Sequence, residues 1–127
     1  MDLLKLTHSL KKIKLIIIDI DGTLTDGFMY YNADGDYMKR FNVKDGMGIV
    51  LLKKAGFEIA IMTSEQNEIV KARAKKLGVD KLVMGSHNKT ESLKQLTEDM
   101  SISSDECAYI GDDVNDLHVM KEVGFSA

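Results

Sequence analysis

The sequence has no proline and no tryptophan, a single cysteine, and no long run of hydrophobic residues. Because Cys107 has no partner, a disulfide within the chain and a structural zinc site built from thiolates are both excluded, which fits a reducing compartment. No segment approaches the length of a membrane span, and the N-terminus lacks the apolar block of a signal peptide. We therefore expect a cytoplasmic protein that does not enter a membrane.

Basic charge is also scarce, since the formal net charge of the 127 residues is −3. Proteins that bind nucleic acid without sequence preference usually carry a clear basic excess, so no nucleic-acid partner is expected. The chain has no low-complexity segment, internal repeat or linker-like stretch. With 44% hydrophobic residues it can form a core, and its length fits a single domain over residues 1–127.

Short apolar runs alternate with amphipathic segments along the chain. The runs are typical of buried parallel strands and lie at Leu15–Ile18, Ile59–Met62, Leu82–Met84 and Ala108–Ile110. Helices are predicted from an Asp45 cap to Gly56, from a Ser64 cap to Gly78, over Lys89–Met100 and over Val114–Val123. This alternation predicts an α/β fold, a doubly wound parallel sheet with helices on both faces.

One segment breaks the alternation. Residues 28–41, "FMYYNADGDYMKRF", hold aromatic and β-forming residues on both sides of a turn-rich centre. Because Asp34-Gly35 is a strong turn signal, we expect a protruding β-hairpin that pairs Phe28–Tyr31 with Tyr37–Phe41. A purely structural edge hairpin is one interpretation, whereas the density of exposed aromatic residues and methionines favours a surface for a partner.

Polar side chains follow three of the four predicted strands. Asp19 comes directly after the first strand, Thr63 after the second, and Asp112 with Asp113 after the fourth. Any one of them alone reads more simply as a loop cap or a solvated acid. Because the carboxyl ends of parallel strands meet at one edge of the sheet, their shared position favours a functional site there.

The expected cluster at this edge is strongly acidic. It contains five carboxylates, from Asp19, Asp21, Asp112, Asp113 and Asp116. Crowded carboxylates repel one another and raise one another's pKa, and a divalent cation with oxygen ligands offsets this repulsion. Few protein carboxylates, with water and a substrate phosphate, suit Mg²⁺ better than a full calcium cage, and no EF-hand loop is present.

A carboxylate can also act as a nucleophile and form an acyl-phosphate. Asp19 fits that role, and Asp21 could protonate the leaving oxygen and then activate water. The chain can turn sharply at Gly22. Thr63 and the backbone amides of Gly22–Thr23 would then hold the phosphoryl oxygens. Lys89 is the best candidate for a balancing cation, although by itself it would be taken for a surface lysine.

Four motifs resemble the signature of the haloacid dehalogenase-like phosphohydrolases. In chain order they are Asp19-Ile20-Asp21-Gly22-Thr23, then Thr63, then Lys89, then "GDDVND" at residues 111–116. The resemblance implies a Rossmann-like fold and a Mg²⁺-dependent phosphatase with an aspartyl-phosphate intermediate.

The resemblance also implies a role for each matched residue. Asp19 would be nucleophile and metal ligand, and Asp112 the second carboxylate on the metal. Asp21 would be the acid and base, and would offer its main-chain carbonyl to the metal. The remaining matched side chains would hold the phosphoryl group (Thr63 and Lys89) or support the metal-bound water and Lys89 (Asp113 and Asp116).

The segments "TLTDG" and "FNVKDG" are similar to a subfamily without a cap domain. That subfamily contains 3-deoxy-D-manno-octulosonate 8-phosphate phosphatases and phosphatases of nine-carbon 2-keto-3-deoxy sugar acids. In it, hairpins assemble a homotetramer and a neighbouring subunit covers each site. The resemblance therefore implies a phosphorylated sugar acid as substrate and a tetramer formed through residues 28–41.

The residues after Thr63 bear on the choice of substrate. Eight-carbon enzymes usually read Thr-Gly-Arg, whereas Thr63-Ser64-Glu65 is closer to the Thr-Gly-Glu of nine-carbon enzymes, with Ser64 in place of glycine. By position, Glu65, Arg73 and Lys76 would contact the sugar acid, partly across a subunit interface. Arg73 and Lys76 can also be read as solvated helix residues.

Relatives in this subfamily continue past "VGFSA" with a further strand, a helix and a tail, so a C-terminally shortened domain is expected here. Two alternatives to a selective phosphatase stay open. One is a less selective phosphatase of small metabolites. The other is a non-catalytic tetramerisation module associated with an acylneuraminate cytidylyltransferase, which the intact catalytic acids and Lys89 disfavour.

Overall fold

The structure is a computed structural model that describes residues 3–127, so the first two residues of the expected domain lie outside the described part. The helices are α1 (Leu3–Lys12), α2 (Val43–Lys54), α3 (Glu68–Leu77), α4 (Lys89–Met100) and α5 (Leu117–Glu122). The strands are β1 (Leu15–Ile18), β2 (Tyr30–Asn32), β3 (Gly35–Met38), β4 (Glu58–Met62), β5 (Lys81–Val83), β6 (Cys107–Ile110) and β7 (Phe125–Ser126). Within the described residues, no helix has the length and apolar character needed to cross a membrane.

Five strands form one parallel sheet in the order β5-β4-β1-β6-β7. The chain moves outward from β1 through β4 to β5, and then returns to the other side of β1 for β6 and β7. The strand order therefore reverses between β1 and β6. In open α/β sheets, such a reversal opens a crevice at the carboxyl ends of the two strands, where ligands bind.

The sheet is covered on both faces, as the apolar strands predict. Alternate residues of β1 point to opposite sides, with Ile16 and Ile18 in one core cluster and Leu15 and Ile17 in the other. The first cluster includes side chains of α2 and α3, and the second includes side chains of α4 and α5. The doubly wound α/β fold is thus confirmed.

The hairpin forms, but its strands are shifted from the predicted pairing. Residue Asn32 pairs with Gly35, so the turn lies at residues 33 and 34, and Asp34-Gly35 is not its centre. The reason is local: the side-chain oxygen of Asn32 accepts a hydrogen bond of 2.9 Å from the backbone N–H of Asp34, which turns the chain early. Phe28 and Phe41 accordingly lie outside the two strands.

Both predicted helix caps are wrong by three residues. Asn42 caps α2 by accepting a hydrogen bond from the N–H of Lys44, which leaves Asp45 within the first turn. Asn67 caps α3 in the same way, and Ser64 donates to the carbonyl of Ser86. An asparagine oxygen two residues before the bonded N–H satisfies it, and in both cases it outcompetes the predicted cap.

Three further differences concern the chain ends. The sequence analysis did not predict α1 or β7, and the segment predicted as a helix over Val114–Val123 begins with a 3₁₀ turn before α5. Strand β7 has only two residues and pairs with β6. The backbone of Ala127 extends this pairing, because its N–H donates to the carbonyl of Tyr109.

Candidate active site

The predicted strand-end residues meet at the crevice between β1 and β6. Asp19 follows β1 directly, and its backbone N–H donates to the carbonyl of Ile110 at the end of β6. Thr63 follows β4 and is 2% exposed, and its backbone N–H donates to the carbonyl of Val83 in β5. The ladder hydrogen bonds of the sheet thus continue into the site and fix the backbone of two candidate residues.

Lys89 is a buried residue at the start of α4. Its ammonium lies 2.8 Å from Oδ1 of Asp19 and 2.5 Å from Oδ1 of Asp116, and its side chain is 6% exposed. Asp116 is itself fully buried and accepts a further hydrogen bond of 2.7 Å from the hydroxyl of Tyr109. A lysine buried in this way is held by its two carboxylates and cannot be read as a surface residue.

The pKa values in this network shift with burial and pairing. Burial raises the pKa of Asp19, and the hydrogen bond from Lys89 only partly offsets it. Burial alone would raise the pKa of Asp116 and lower that of Lys89. Hydrogen bonds from Lys89 and the Tyr109 hydroxyl instead lower the pKa of Asp116. Hydrogen bonds to Asp116 and Asp19 likewise raise the pKa of Lys89. Perturbed acids grouped in a cleft are typical of functional sites.

Three carboxylates are close enough to hold a metal ion. Oxygen atoms of Asp19, Asp112 and Asp116 lie within 4.8 Å of one another. Lys89 and Tyr109 already occupy Oδ1 of Asp116, whereas Asp112 is exposed. Oxygen donors of this number and charge suit a hard divalent cation that keeps some of its water.

The loop after β1 shapes the Asp112 side of this cluster. Gly22 has a φ of +89°, and a Cβ at this position would overlap the carboxylate of Asp112. Thr23 donates from its hydroxyl to Oδ1 of Asp112 over 3.2 Å. The loop is closed by Thr25, whose hydroxyl accepts from the N–H of Gly22. Gly22 and Thr23, predicted to turn the chain and to bind substrate, both lie against Asp112.

Asp21 lies beside a residue that the sequence analysis missed. The ammonium of Lys39 is 2.6 Å from Oδ1 of Asp21 and 2.8 Å from Oδ2 of Asp36, and its side chain is 2% exposed. Burial would lower the pKa of Lys39, but its hydrogen bonds to the two aspartates raise it. No pattern in the sequence marks Lys39, since its partner Asp21 is 18 residues away.

The cleft above these residues has a volume of about 230 Å³. It brings together most of the predicted site. The predicted residues that line it are Asp19, Asp21, Thr63, Ser64, Glu65, Lys89 and Asp113. The hairpin contributes Met29 and Tyr31, which closes one side of the cleft although no cap domain lies between Asp21 and Thr63.

Asp113 has a second role beside the cleft, and two predicted helix residues lie outside the cleft. Asp113 caps the 3₁₀ turn by accepting from the N–H of Val114. Arg73 does not line the cleft, because its guanidinium lies 5.2 Å from the ring centre of Phe41 and donates to the carbonyl of Asn42. Lys76 is exposed on α3 and does not line the cleft either.

Comparison with known proteins identifies close relatives. The model of the haloacid dehalogenase-like hydrolase family matches residues 42–124. The 3-deoxy-D-manno-octulosonate 8-phosphate phosphatase KdsC of Salmonella typhi is 39% identical in an alignment of 123 residues, and the match covers 94% of this chain and 65% of the relative. KdsC of Escherichia coli K12 is 39% identical over 116 residues, 91% of this chain and 62% of the relative. The chain thus spans slightly less than two thirds of the length of these curated relatives.

Solved structures show the same fold. The 3-deoxy-D-manno-octulosonate 8-phosphate phosphatase from Moraxella catarrhalis was solved in complex with magnesium, phosphate and KDO. It matches with a TM-score of 0.90 at 40% identity, and the match covers 99% of this chain and 72% of that protein. The cobalt-bound enzyme from Haemophilus influenzae has a TM-score of 0.89 at 35% identity, with 93% and 69% covered. With motifs, fold and family model in agreement, the chain belongs to the haloacid dehalogenase-like hydrolases.

Proposed function

We propose that the protein is a Mg²⁺-dependent phosphatase that hydrolyses the phosphate monoester of a 2-keto-3-deoxy sugar acid. The observation that carries this proposal is the placement of Asp19. Its carboxylate lies at the tip of β1, 2.8 Å from the buried ammonium of Lys89 and within 4.8 Å of the carboxylates of Asp112 and Asp116. A nucleophile, a cation and a metal site therefore share one crevice.

The residues present fit a magnesium ion. The side chains of Asp19 and Asp112, with the main-chain carbonyl of Asp21, would hold it. The exclusion of a side chain at Gly22 leaves Asp112 free to approach. When bound, the ion would neutralise charge on the phosphate and on the crowded acids. The Moraxella catarrhalis relative contains magnesium, which supports this assignment.

The residues of this chain then account for both halves of the reaction. Asp19 attacks phosphorus, so that an aspartyl-phosphate bond forms while the bond to the sugar oxygen breaks, and Asp21 gives that oxygen a proton. Asp21 next takes a proton from water, which attacks phosphorus and releases Asp19. Thr63 and Lys89 would hold the phosphoryl oxygens through both steps.

The size of the sugar acid is a separate question. The named relatives act on the eight-carbon 8-phosphate, and we propose that compound as the first substrate to test. The nine-carbon 9-phosphate, which the sequence analysis favours, is the second candidate because Glu65 lines the cleft. Arg73 and Lys76 do not line the cleft of their own chain. They would contact a substrate only if it were bound in the site of a neighbouring subunit.

A homotetramer formed through the hairpin is part of the same proposal. Phe28 is 70% exposed and Tyr37 is 57% exposed, although both are large and apolar. Contiguous exposed apolar surface usually marks an interface. A partner subunit on this surface would also cover the cleft beside Met29 and Tyr31.

The direct test is phosphate release from the eight-carbon and nine-carbon substrates with Mg²⁺, for the wild type and Asp19→Asn. Removal of a nucleophile should lower kcat by about 10³-fold or more. If the wild type hydrolyses neither substrate, the non-catalytic tetramerisation module is favoured. Retained activity of Asp19→Asn would reject the covalent mechanism, but the proposal that the protein is a phosphatase would stand.

A further inference from the structure

Lys39 is a buried cation that the reaction described above does not use. It stands between two carboxylates from different parts of the chain, Asp21 after β1 and Asp36 in β3. A lysine with a 2% exposed side chain must be paired, because an isolated buried ammonium is strongly unfavourable. Both pairs are short, at 2.6 Å and 2.8 Å, so the ammonium is fixed in place.

Asp36 is in turn anchored to the start of α3. The side-chain N–H of Asn67 donates to Oδ2 of Asp36 over 3.2 Å. The oxygen of the same amide accepts from the backbone N–H of Ile69 over 2.8 Å and caps α3. Because both ends of the amide are occupied, its orientation is set. A chain of contacts therefore runs from α3 through Asn67, Asp36 and Lys39 to Asp21.

Asp21 needs such support for the role proposed for it. An acid must lie within hydrogen-bond reach of the oxygen it protonates, and the Asp21 side chain is 34% exposed at the cleft. Lys39 holds Oδ1, which leaves Oδ2 to carry the proton toward the leaving oxygen. Without Lys39 the carboxylate could turn to other rotamers.

We propose that Lys39 is a positioning residue that holds Asp21 in the orientation needed to protonate the leaving oxygen. This inference rests on the proposed phosphatase function. It predicts a defect that depends on the leaving group. An alkyl oxygen must be protonated as it leaves, whereas p-nitrophenol departs as a stable phenolate.

The experiment compares kcat/KM for the sugar-acid phosphate and for p-nitrophenyl phosphate, with Mg²⁺. For each substrate, kcat/KM reports the steps up to leaving-group departure and is insensitive to the later hydrolysis of the intermediate. The variant is Lys39→Met. The matched control is Lys81→Met, which also removes a lysine from an ion pair, with Glu58 at 2.7 Å, but at the amino-terminal edge of the sheet.

Lys39→Met should lower kcat/KM for the sugar-acid phosphate by about 10²-fold and for p-nitrophenyl phosphate by less than about threefold. Asp21→Asn should show the same inequality, and adding Lys39→Met to it should cost little more, because the two residues act as a unit. Lys81→Met should leave both values unchanged.

Equal losses on both substrates, or additive losses with Asp21→Asn, would overturn the role of Lys39 and leave the phosphatase intact. A wild type inactive on both substrates would instead contradict the proposed function. Within the described residues Oδ1 of Asp36 is buried without a hydrogen-bond partner. Lys39→Met would also remove the cation beside Asp36, so the single variant could fail to fold. The double variant Lys39→Met/Asp36→Asn removes that stranded charge and carries the same comparison.

Discussion

Gly22 and Asp112 approach so closely that no side chain fits between them. The φ of Gly22 is +89°, and a Cβ there would overlap the Asp112 carboxylate. Asp112 is exposed and can swing aside, so Gly22→Ala should displace this proposed metal ligand more than it disturbs the core. We expect magnesium binding, measured by calorimetry, to weaken at least about tenfold, the loss of roughly one ligand interaction.

The matched control is Gly56→Ala, at a φ of +96° with open space around the added Cβ. Both variants should lose about 1–2 kcal/mol of folding free energy, because a left-handed conformation is strained for alanine. Only Gly22→Ala should lose magnesium. Equal magnesium affinity in the two variants would show that the contact with Asp112 does not matter for the metal.

The proposed choice between the two sugar acids depends on Glu65. It lines the cleft two residues after Thr63, and the resemblance links glutamate there to nine-carbon substrates and arginine to eight-carbon ones. Glu65→Arg should shift the ratio of the two kcat/KM values toward the eight-carbon substrate by about tenfold or more, since reversing a charge at a substrate carboxylate or hydroxyl contact is worth over about 1.4 kcal/mol. An unchanged ratio would remove Glu65 from the specificity argument.

The hairpin surface can be tested through the oligomeric state. Phe28→Glu combined with Tyr37→Glu places two charges on exposed apolar positions. If this surface joins subunits, burying those charges is unfavourable and the tetramer should dissociate. Light scattering after gel filtration measures the mass. The control is Leu3→Glu on α1, which is 72% exposed and should not change it. A wild-type monomer, or an intact tetramer in the double variant, would contradict the hairpin interface.

Cys107 gives a prediction on pH. Burial, with the nearby charge of Glu106, raises the pKa of its thiol from 9.0 to about 11. The folded state therefore retains a proton that the unfolded chain loses, and the free energy of unfolding should fall as pH rises from about 9 to about 11. At neutral pH the thiol is protonated in both states and contributes no such dependence.

Urea unfolding between pH 7 and pH 11 measures this effect. Cys107→Ala removes the thiol and should show a shallower decline above pH 9 than the wild type. Identical slopes in the two proteins would mean that the buried thiol does not control the alkaline loss of stability.

The parts of the site that follow from the sequence are those tied to strand ends. Asp19, Thr63 and Asp112 each follow a short apolar run, and parallel strands place such residues at one edge regardless of details in the loops. Lys89 was proposed as the balancing cation, but by itself it would have been taken for a surface lysine. Its burial depends on Asp116 and Asp19, the latter 70 residues away in the chain.

The parts that were missed depend on contacts between distant segments or on local competition. Lys39 reads as an ordinary strand residue until the hairpin folds over Asp21. Tyr109 belongs to an apolar strand, and only the turn after β6 brings Asp116 to its hydroxyl. The caps of α2 and α3 were misplaced because several side chains near each helix start can act as a cap, and the sequence does not rank them.

The most direct test of the central claim is a crystal structure of the protein with Mg²⁺ and vanadate. The proposal predicts one cation held by the carboxylates of Asp19 and Asp112, with vanadium beside Asp19 and the ammonium of Lys89 on a vanadate oxygen. A structure in which no cation lies between Asp19 and Asp112, and their side chains point apart, would contradict it.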